Sequence, residues 1–274
     1  MVRDFGREWA RFDQSELPEA ELREWFDAYF HIFPWEELPA NARGLDLGCG
    51  SGRWAQLVAP RVGELLCVDP SAQALEVARR KLAGLAGCRC QLAGVDEIPV
   101  PDASLDFAYS LGVLHHVPDT AAAIRSCTAK LKPGGFLLLY LYYAFDGKPA
   151  WFRALWRASD LLRRLLSRLP GPLKYGASQL IAAFVYWPLS RLAGAGERLG
   201  ARVDGWPLSA YRDKSFYTLR TDALDRFGTR LEQRFTRAQI AQMMTAAGLT
   251  EIRFSDRVPY WCAVGRKAPS QLGD

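Results

Sequence analysis

Long apolar runs are scarce in this chain of 274 residues. The longest, residues 180–187, is far too short to span a bilayer. Residues 1–12 are polar and charged, without the apolar core of a secretory signal, so the expected location is cytoplasmic. The six cysteines hold one close pair, Cys88 and Cys90, and no second pair completes a zinc site. They read as scattered reduced thiols. No Asp/His cluster looks like a metal site. Lys and Arg nowhere form a run dense enough for a nucleic-acid tail; the net charge of +5 permits an anionic partner without demanding one. What remains is ordinary for a globular protein, 49% hydrophobic and 24% charged, with nine Trp and ten Tyr to wall pockets.

Against that background one stretch stands out, Leu45-Asp46-Leu47-Gly48-Cys49-Gly50-Ser51-Gly52-Arg53-Trp54. Leu45 and Leu47 end an apolar strand, and Trp54, Leu57 and Val58 open a helix. Gly48, Gly50 and Gly52 supply a turn whose positive φ values only glycine reaches without steric cost. Such a turn lets a ligand lie against bare backbone near a helix N-terminus. The spacing is not that of dinucleotide binders, and no Lys-Ser/Thr follows as in a P-loop. Asp46 would repel a phosphate but suits an ammonium. The stretch resembles motif I of the class I (Rossmann-like) S-adenosylmethionine (SAM) methyltransferases, in the type 11 (UbiE-like) group.

Residues further along extend the reading. Residues 64–68 form a buried strand ending at Asp69, placed to accept both ribose hydroxyls of an adenosine. Pro70 and Ser71 follow it, and Ser71 N-caps a helix. Residues 88–92 are a third strand and 104–110 a fourth, with a fifth at 136–143. Thr236 and Gln239 form a capping box for a late helix, and residues 251–254 and 261–265 read as a final antiparallel pair. Strand and helix thus alternate over 44–143. Pro133-Gly134-Gly135 is expected to stop the helix capped by Asp119. An apolar stripe of Leu22, Trp25, Phe26, Tyr29, Phe30 and Phe33 predicts a helix over 17–33 that packs on the core and caps the cofactor site.

The resemblance implies a doubly wound, mostly parallel seven-stranded sheet with helices on both faces and a helical insertion after the fifth strand. It implies residues 1–43 as a helical cap, 44–145 as the SAM-binding core, 146–234 as an insertion or lid for the acceptor, and 235–274 as the closing helix and strand pair. SAM is the implied cofactor, held by Asp46, Gly48, Cys49, Gly50, Gly52, Asp69, Pro70 and Ser71, and by Ser110, Leu111 and His116 after strand four. His116 is expected to hydrogen-bond within its own loop. The family usually offers an acidic residue to the adenine amine; here Gly94 occupies that position, leaving Val95 backbone or Asp96. His115 is the candidate base for a hydroxyl acceptor.

The insertion has a basic amphipathic helix at 151–169. Arg153, Arg157, Arg164 and Arg168 lie on one face, with Leu155, Leu162, Leu165, Leu166 and Leu169 opposite. An apolar segment at 178–192 is expected to break at Pro188. The expected arrangement packs these apolar faces on one another and on the sheet, with membrane contact the less favoured alternative. Tyr143, Asp146, Tyr211, Arg212 and Tyr217 are the candidates to orient an acceptor.

The sequence therefore predicts a SAM-dependent methyltransferase acting on O or N of a small molecule, such as a specialised metabolite or a sugar. A lipid-like acceptor such as a polyprenyl quinone is the alternative, and a non-catalytic SAM-binding regulator is the alternative of another class. No Asn/Asp-Pro-Pro-Tyr/Phe motif for base methylation occurs, so no nucleic acid is expected. Oligomeric state is left open.

Overall fold

The computed structural model describes residues 16–145, 147–203 and 205–269. The chain divides into two compact units, each described by itself. The first comprises Glu24–Ala144 and residues 231–269, and the second Phe145–Arg230 with residues 16–23.

Seven strands build the first unit: β1 (Arg43–Leu47), β2 (Glu64–Asp69), β3 (Cys88–Leu92), β4 (Leu105–Leu111), β5 (Leu131–Tyr140), β6 (Leu249–Phe254) and β7 (Cys262–Lys267). Their order is β3-β2-β1-β4-β5-β7-β6. The first five run parallel; β7 is antiparallel to β5, and β6 to β7. This is the doubly wound sheet expected from the alternation. The order reverses between β1 and β4, and ligands of such sheets gather at the strand carboxyl ends beside that point.

Side-chain alternation sends successive residues of each strand to opposite faces. On β5, Phe136 and Leu138 join one core with Phe26, Phe30, Phe33, Phe107 and Tyr109. Leu137 and Leu139 join the other with Leu45, Leu47, Ile124 and Ile240. Gly44 pairs with Phe107 in register, and a Cβ there would stand inside the Phe107 ring, so glycine lets the aromatic lie across β1.

Helix α1 (Glu19–Phe30) supplies Phe26 and Phe30; α2 (Ala55–Val58) follows the glycine turn; α3 (Ala72–Leu82), α4 (Thr120–Lys130) and, late in the chain, the helix Arg237–Ala246 cover the sheet. Three caps expected from sequence are formed. Ala74 N donates to Ser71 Oγ at 3.3 Å and Ala122 N to Asp119 Oδ1 at 2.8 Å. Thr236 and Gln239 satisfy each other's backbone N–H. Two boundaries differ. Helix α4 ends at Lys130, and Pro133-Gly134-Gly135 lies within β5, beside a register shift against β4. Strand β5 stops at Tyr140 rather than Tyr143, although Tyr143 still bridges Phe235.

The second unit is helical: α5 (Ala150–Leu166), α6 (Gly171–Ile181), a π turn over Ala182–Tyr186, α7 (Trp187–Arg198) and α8 (Phe216–Gly228); the helix Arg237–Ala246 of the first unit is then α9. Pro188 does not break the 178–192 segment. The chain widens into the π turn just before it, and Pro188 then sits in the first turn of α7, where its missing N–H costs little. Ala182, Tyr186, Leu219, Ala223 and Phe227 form the core of this unit. Inside it, Thr218 Oγ1 and Ser215 N both donate to the Glu21 carboxylate.

The expected packing of the insertion's apolar faces forms in part, with Leu166 and Ile181 set against this core. Leu155, Leu162 and Leu165 of α5 face solvent, while Asp160 and Arg163 are buried. Arg163 goes inward because every contact it needs is there: Asp160 Oδ1 at 2.7 Å and the carbonyls of Thr229 and Arg230 at 2.9 and 3.2 Å. A buried guanidinium with three acceptors is tolerated where an unpaired one is not.

Candidate functional site

Strand β1 delivers Asp46 to the sheet's carboxyl edge, and the glycine turn follows with φ of +77°, +53° and +75° at Gly48, Gly50 and Gly52. Its backbone is held from β2. Gly48 N and Cys49 N both donate to Val68 O, at 2.7 and 3.1 Å. Asp69 completes the clamp: Oδ2 accepts from Gly50 N at 3.0 Å and Oδ1 from Ser71 N at 2.8 Å. Its carboxylate thus shapes the turn and keeps a further lone pair on each oxygen. Burial pushes the Asp69 carboxyl up, and the bonds from Ser71 and Gly50 oppose that. Pro70, between the two bonded positions, is exposed.

Asp46 is almost fully buried and accepts from Tyr109 Oη at 2.8 Å. Burial pushes its carboxyl well above the usual range; the Tyr109 bond opposes this, and the Asp69 carboxylate adds to it. A cationic ligand group beside it would restore the ionised form. Ser51 Oγ, in the middle of the turn, is buried and has no hydrogen-bond partner among the described residues. An orphaned hydroxyl between two carboxylate-bearing strand ends fits a polar, positively charged ligand. The Cys49 thiol is pushed to about 11: its bond with Cys67 lowers it, and burial with the Asp46 and Asp69 carboxylates outweighs that. It is no nucleophile at neutral pH.

Beyond β3, a Cβ at Gly94 would meet nothing within 4 Å, and Asp96 is exposed with Val95 half-buried beside it. Leu92, in register with Asp69, is 54% exposed, an apolar platform at the strand end suited to a planar base. Composition gave no hint of Leu92; only its pairing with Asp69 does.

After β4 the loop is tied down from both sides. Ser110 Oγ donates to Leu47 O at 2.9 Å, so its hydroxyl is spent joining β4 to β1. Leu111 ends the strand, and Gly112, at φ +78°, donates its N–H to Tyr140 O. His116 bonds within its loop through its backbone, N donating to Val113 O at 2.9 Å, but its ring reaches further. Its Nδ1 lies 2.6 Å from Leu231 O, a carbonyl 115 positions away. Gln233 reinforces the same tie, its N donating to His115 O and its Nε2 to Val117 O at 2.6 Å. Phe235 N donates to Tyr142 O, so residues 231–235 strap the post-β4 loop and the end of β5 together. This strap escaped sequence reasoning because nothing local marks it.

His115 is fully buried, stacked on Tyr142 at 3.7 Å between ring centroids and 4.0 Å from His116. Neither ring nitrogen has a hydrogen-bond partner among the described residues. Burial pushes its pKa well below the ordinary 6.5, with His116 and Arg234 adding to the effect. The folded protein therefore holds His115 neutral while the unfolded chain protonates it below about pH 6.5. Stability is retained above that pH and is expected to fall as the pH drops, by about 1.4 kcal/mol per pH unit from this group. Urea unfolding of the wild type and of His115→Phe across that range should show a shallower acid loss in the variant.

Three rings gather near the turn: Tyr29 of α1 lies 5.1 Å from both Trp54 and Tyr140. Helix α1 thus packs on the core through Phe26 and Phe30 and brings Tyr29 to the turn. Of the acceptor candidates, Tyr143 belongs to the first unit, its ring set against Tyr260 and Trp261. Asp146 lies outside the described residues. Tyr211, Arg212 and Tyr217 belong to the second unit, where Arg212 binds Glu197 at 2.6 Å and Ser209 O at 3.0 Å, Tyr211 packs on Tyr186, and Tyr217 is buried in α8. A cleft of about 950 Å³ in the first unit, lined by Phe30, Trp35, Arg61 and Arg237 among others, contains none of the turn residues.

Comparison with known proteins accords with this geometry. Residues 45–139 match the family described as Methyltransferase domain. A "Ubiquinone biosynthesis O-methyltransferase" of Xanthomonas axonopodis is 30% identical over 176 residues, 58% of this chain and 72% of that protein. The chain belongs to the class I SAM-dependent methyltransferases. A second protein of the same description, from Xanthomonas oryzae, is 31% identical over 131 residues, 47% of this methyltransferase and 54% of its own length. Among solved structures, a possible exported protein of Bordetella parapertussis shares the fold with a TM-score of 0.53, at 18% identity over 92% of this chain and 71% of that one. The CurJ carbon methyltransferase does so at 0.50, with 14% identity over 85% and 50%. Among the described residues no helix is long and apolar enough to cross a membrane.

Proposed function

We propose that this methyltransferase moves the methyl group of SAM to an oxygen or nitrogen of a small-molecule acceptor. The observation that carries the reading is the convergence of Asp46, the positive-φ glycine turn and Asp69 at one carboxyl edge, with the buried Ser51 hydroxyl left over among them. Asp69 would hold the ribose with its remaining lone pairs, Asp46 would face the positively charged amino-acid head, and Leu92 with Val95 and Asp96 would receive the adenine. SAM, when bound, supplies a methyl group already activated on a sulfonium, so the chain's own work is alignment and exclusion of water. The strap at 231–235 would hold the post-β4 loop, and the Tyr29, Trp54 and Tyr140 rings would keep water out. A hydroxyl acceptor would need a base, and His115, fully buried against Tyr142, would serve only where that stack opens; an amine acceptor needs none.

A lipid-like acceptor such as a polyprenyl quinone is the second reading. It is favoured by the exposed apolar helices of the insertion and by the description of the Xanthomonas relative. Incubation with methyl-labelled SAM, offering a metabolite extract and a quinone-type phenol separately, decides between them by which fraction takes up label. No transfer to either, with SAM binding intact by calorimetry, would overturn the enzymatic reading in favour of a SAM-binding regulator.

A further inference from the structure

The second unit carries large apolar side chains on its outside as well as in its core. Along α6, the π turn and α7 the buried positions are Lys174, Ser178, Ala182, Tyr186, Ser190 and Ala193, of which only Tyr186 is a large apolar side chain. Ser178 and Ser190 satisfy their own hydroxyls on the carbonyls of Tyr175 and Trp187, three residues back. Other large apolar residues point the other way. Leu173, Leu180, Phe184 and Leu192 follow one another at seven, four and eight positions, so they share one helical stripe, and Phe184 is 76% exposed. Helix α5 likewise leaves large apolar residues outside, although its inner stripe also carries two aromatics. Its inner stripe is Phe152, Trp156, Asp160, Arg163 and Ser167; Trp151, Leu155, Leu162 and Leu165 form a second stripe in solvent, with Leu165 58% exposed. Arg153, Arg157, Arg164 and Arg168 form a third, alongside the exposed leucines.

Apolar stripes of this extent cost free energy in water and mark a surface that something covers. Charge says what. Residues 148–202 carry ten Lys and Arg against two acids, Asp160 and Glu197. Asp160 is buried between Arg163 and Arg164, and Glu197 is paired with Arg212; Arg163 and Lys174 are buried too, which leaves eight cations reaching solvent. The outward surface therefore joins leucine, phenylalanine and tryptophan to arginine with almost no opposing charge. An apolar helix face bordered by arginines, with a tryptophan near its start, is the chemistry of a helix lying in the plane of an anionic bilayer: side chains enter the acyl boundary and guanidinium groups stay at the phosphates.

We propose that the outer face of α5, α6 and α7 docks this methyltransferase on an anionic phospholipid surface, lying on the bilayer rather than crossing it. The proposal stands apart from the identity of the acceptor, because its readout is binding and not methyl transfer.

Flotation of the full chain with vesicles of phosphatidylcholine alone, and of phosphatidylcholine with phosphatidylglycerol, tests it. The expected result is flotation with the anionic vesicles, weakened by high salt as surface charges are screened. Replacing Arg153, Arg157, Arg164 and Arg168 together by Gln is expected to weaken it about 100-fold or more. A separate variant, Leu155→Ser with Leu162→Ser and Phe184→Ser, is expected to stay unbound at low salt as well. Both variants should bind SAM as the wild type does, which reports that they are folded. Wild-type protein left at the bottom of the anionic gradient would overturn the proposal. So would flotation unchanged by both variants, or a dimer in light scattering that the serine variant disperses, which would give the face to a second copy of the chain.

Discussion

Gly50→Val is expected to abolish SAM binding while the protein remains folded. Gly50 sits at φ +53° in the middle of the turn, a conformation that costs an L-residue roughly 1–2 kcal/mol and a β-branched one more. That strain is small beside the stability of a core built on both faces of seven strands, so circular dichroism should change little. Binding is another matter. The valine side chain would project from the position in the turn whose N–H donates to Asp69, displacing both the turn and the carboxylate it anchors. Calorimetry should find no SAM binding; near-normal affinity would place the cofactor elsewhere.

Asp69→Ala is expected to weaken SAM by roughly 1.5–3 kcal/mol, the worth of hydrogen bonds to a charged group, or about 10- to 150-fold in Kd. The structure adds a second consequence. Without the carboxylate, the N–H groups of Gly50 and Ser71 lose their acceptor in a buried place, so the melting temperature of the ligand-free protein should fall too. Asp69→Asn should be no gentler, because either orientation of the amide turns an NH2 toward one of those two N–H donors. If Asp69→Ala leaves SAM affinity unchanged while lowering the melting temperature, the residue is a turn clamp alone.

Much of the first unit was legible in the chain because its signals are local. A glycine is needed wherever φ turns positive, and Gly48, Gly50 and Gly52 announce the turn by spacing alone. Ser71, Asp119 and Thr236 announce helix starts because each bonds a backbone N–H within three residues. Asp69 was found from its place at the end of an apolar strand; its role as a clamp was not, since that depends on β2 lying beside β1. Tyr109 was missed for the same reason: its bond to Asp46 exists only because the two residues face each other across the β1–β4 register.

The sequence by itself determined the alternation of strands and helices, the place of the glycine turn and the carboxylates at its edge. Each follows from backbone conformation or from contacts a few residues apart. Tertiary structure alone decided that His116 reaches Leu231, that His115 is sealed neutral against Tyr142, and which face of α5 looks inward. Periodicity shows that a helix has an apolar stripe, but not whether a neighbour covers it. On α5 the buried side went to the stripe carrying Arg163, because Asp160 and two carbonyls were there to pair it, and the leucines were left to the outside.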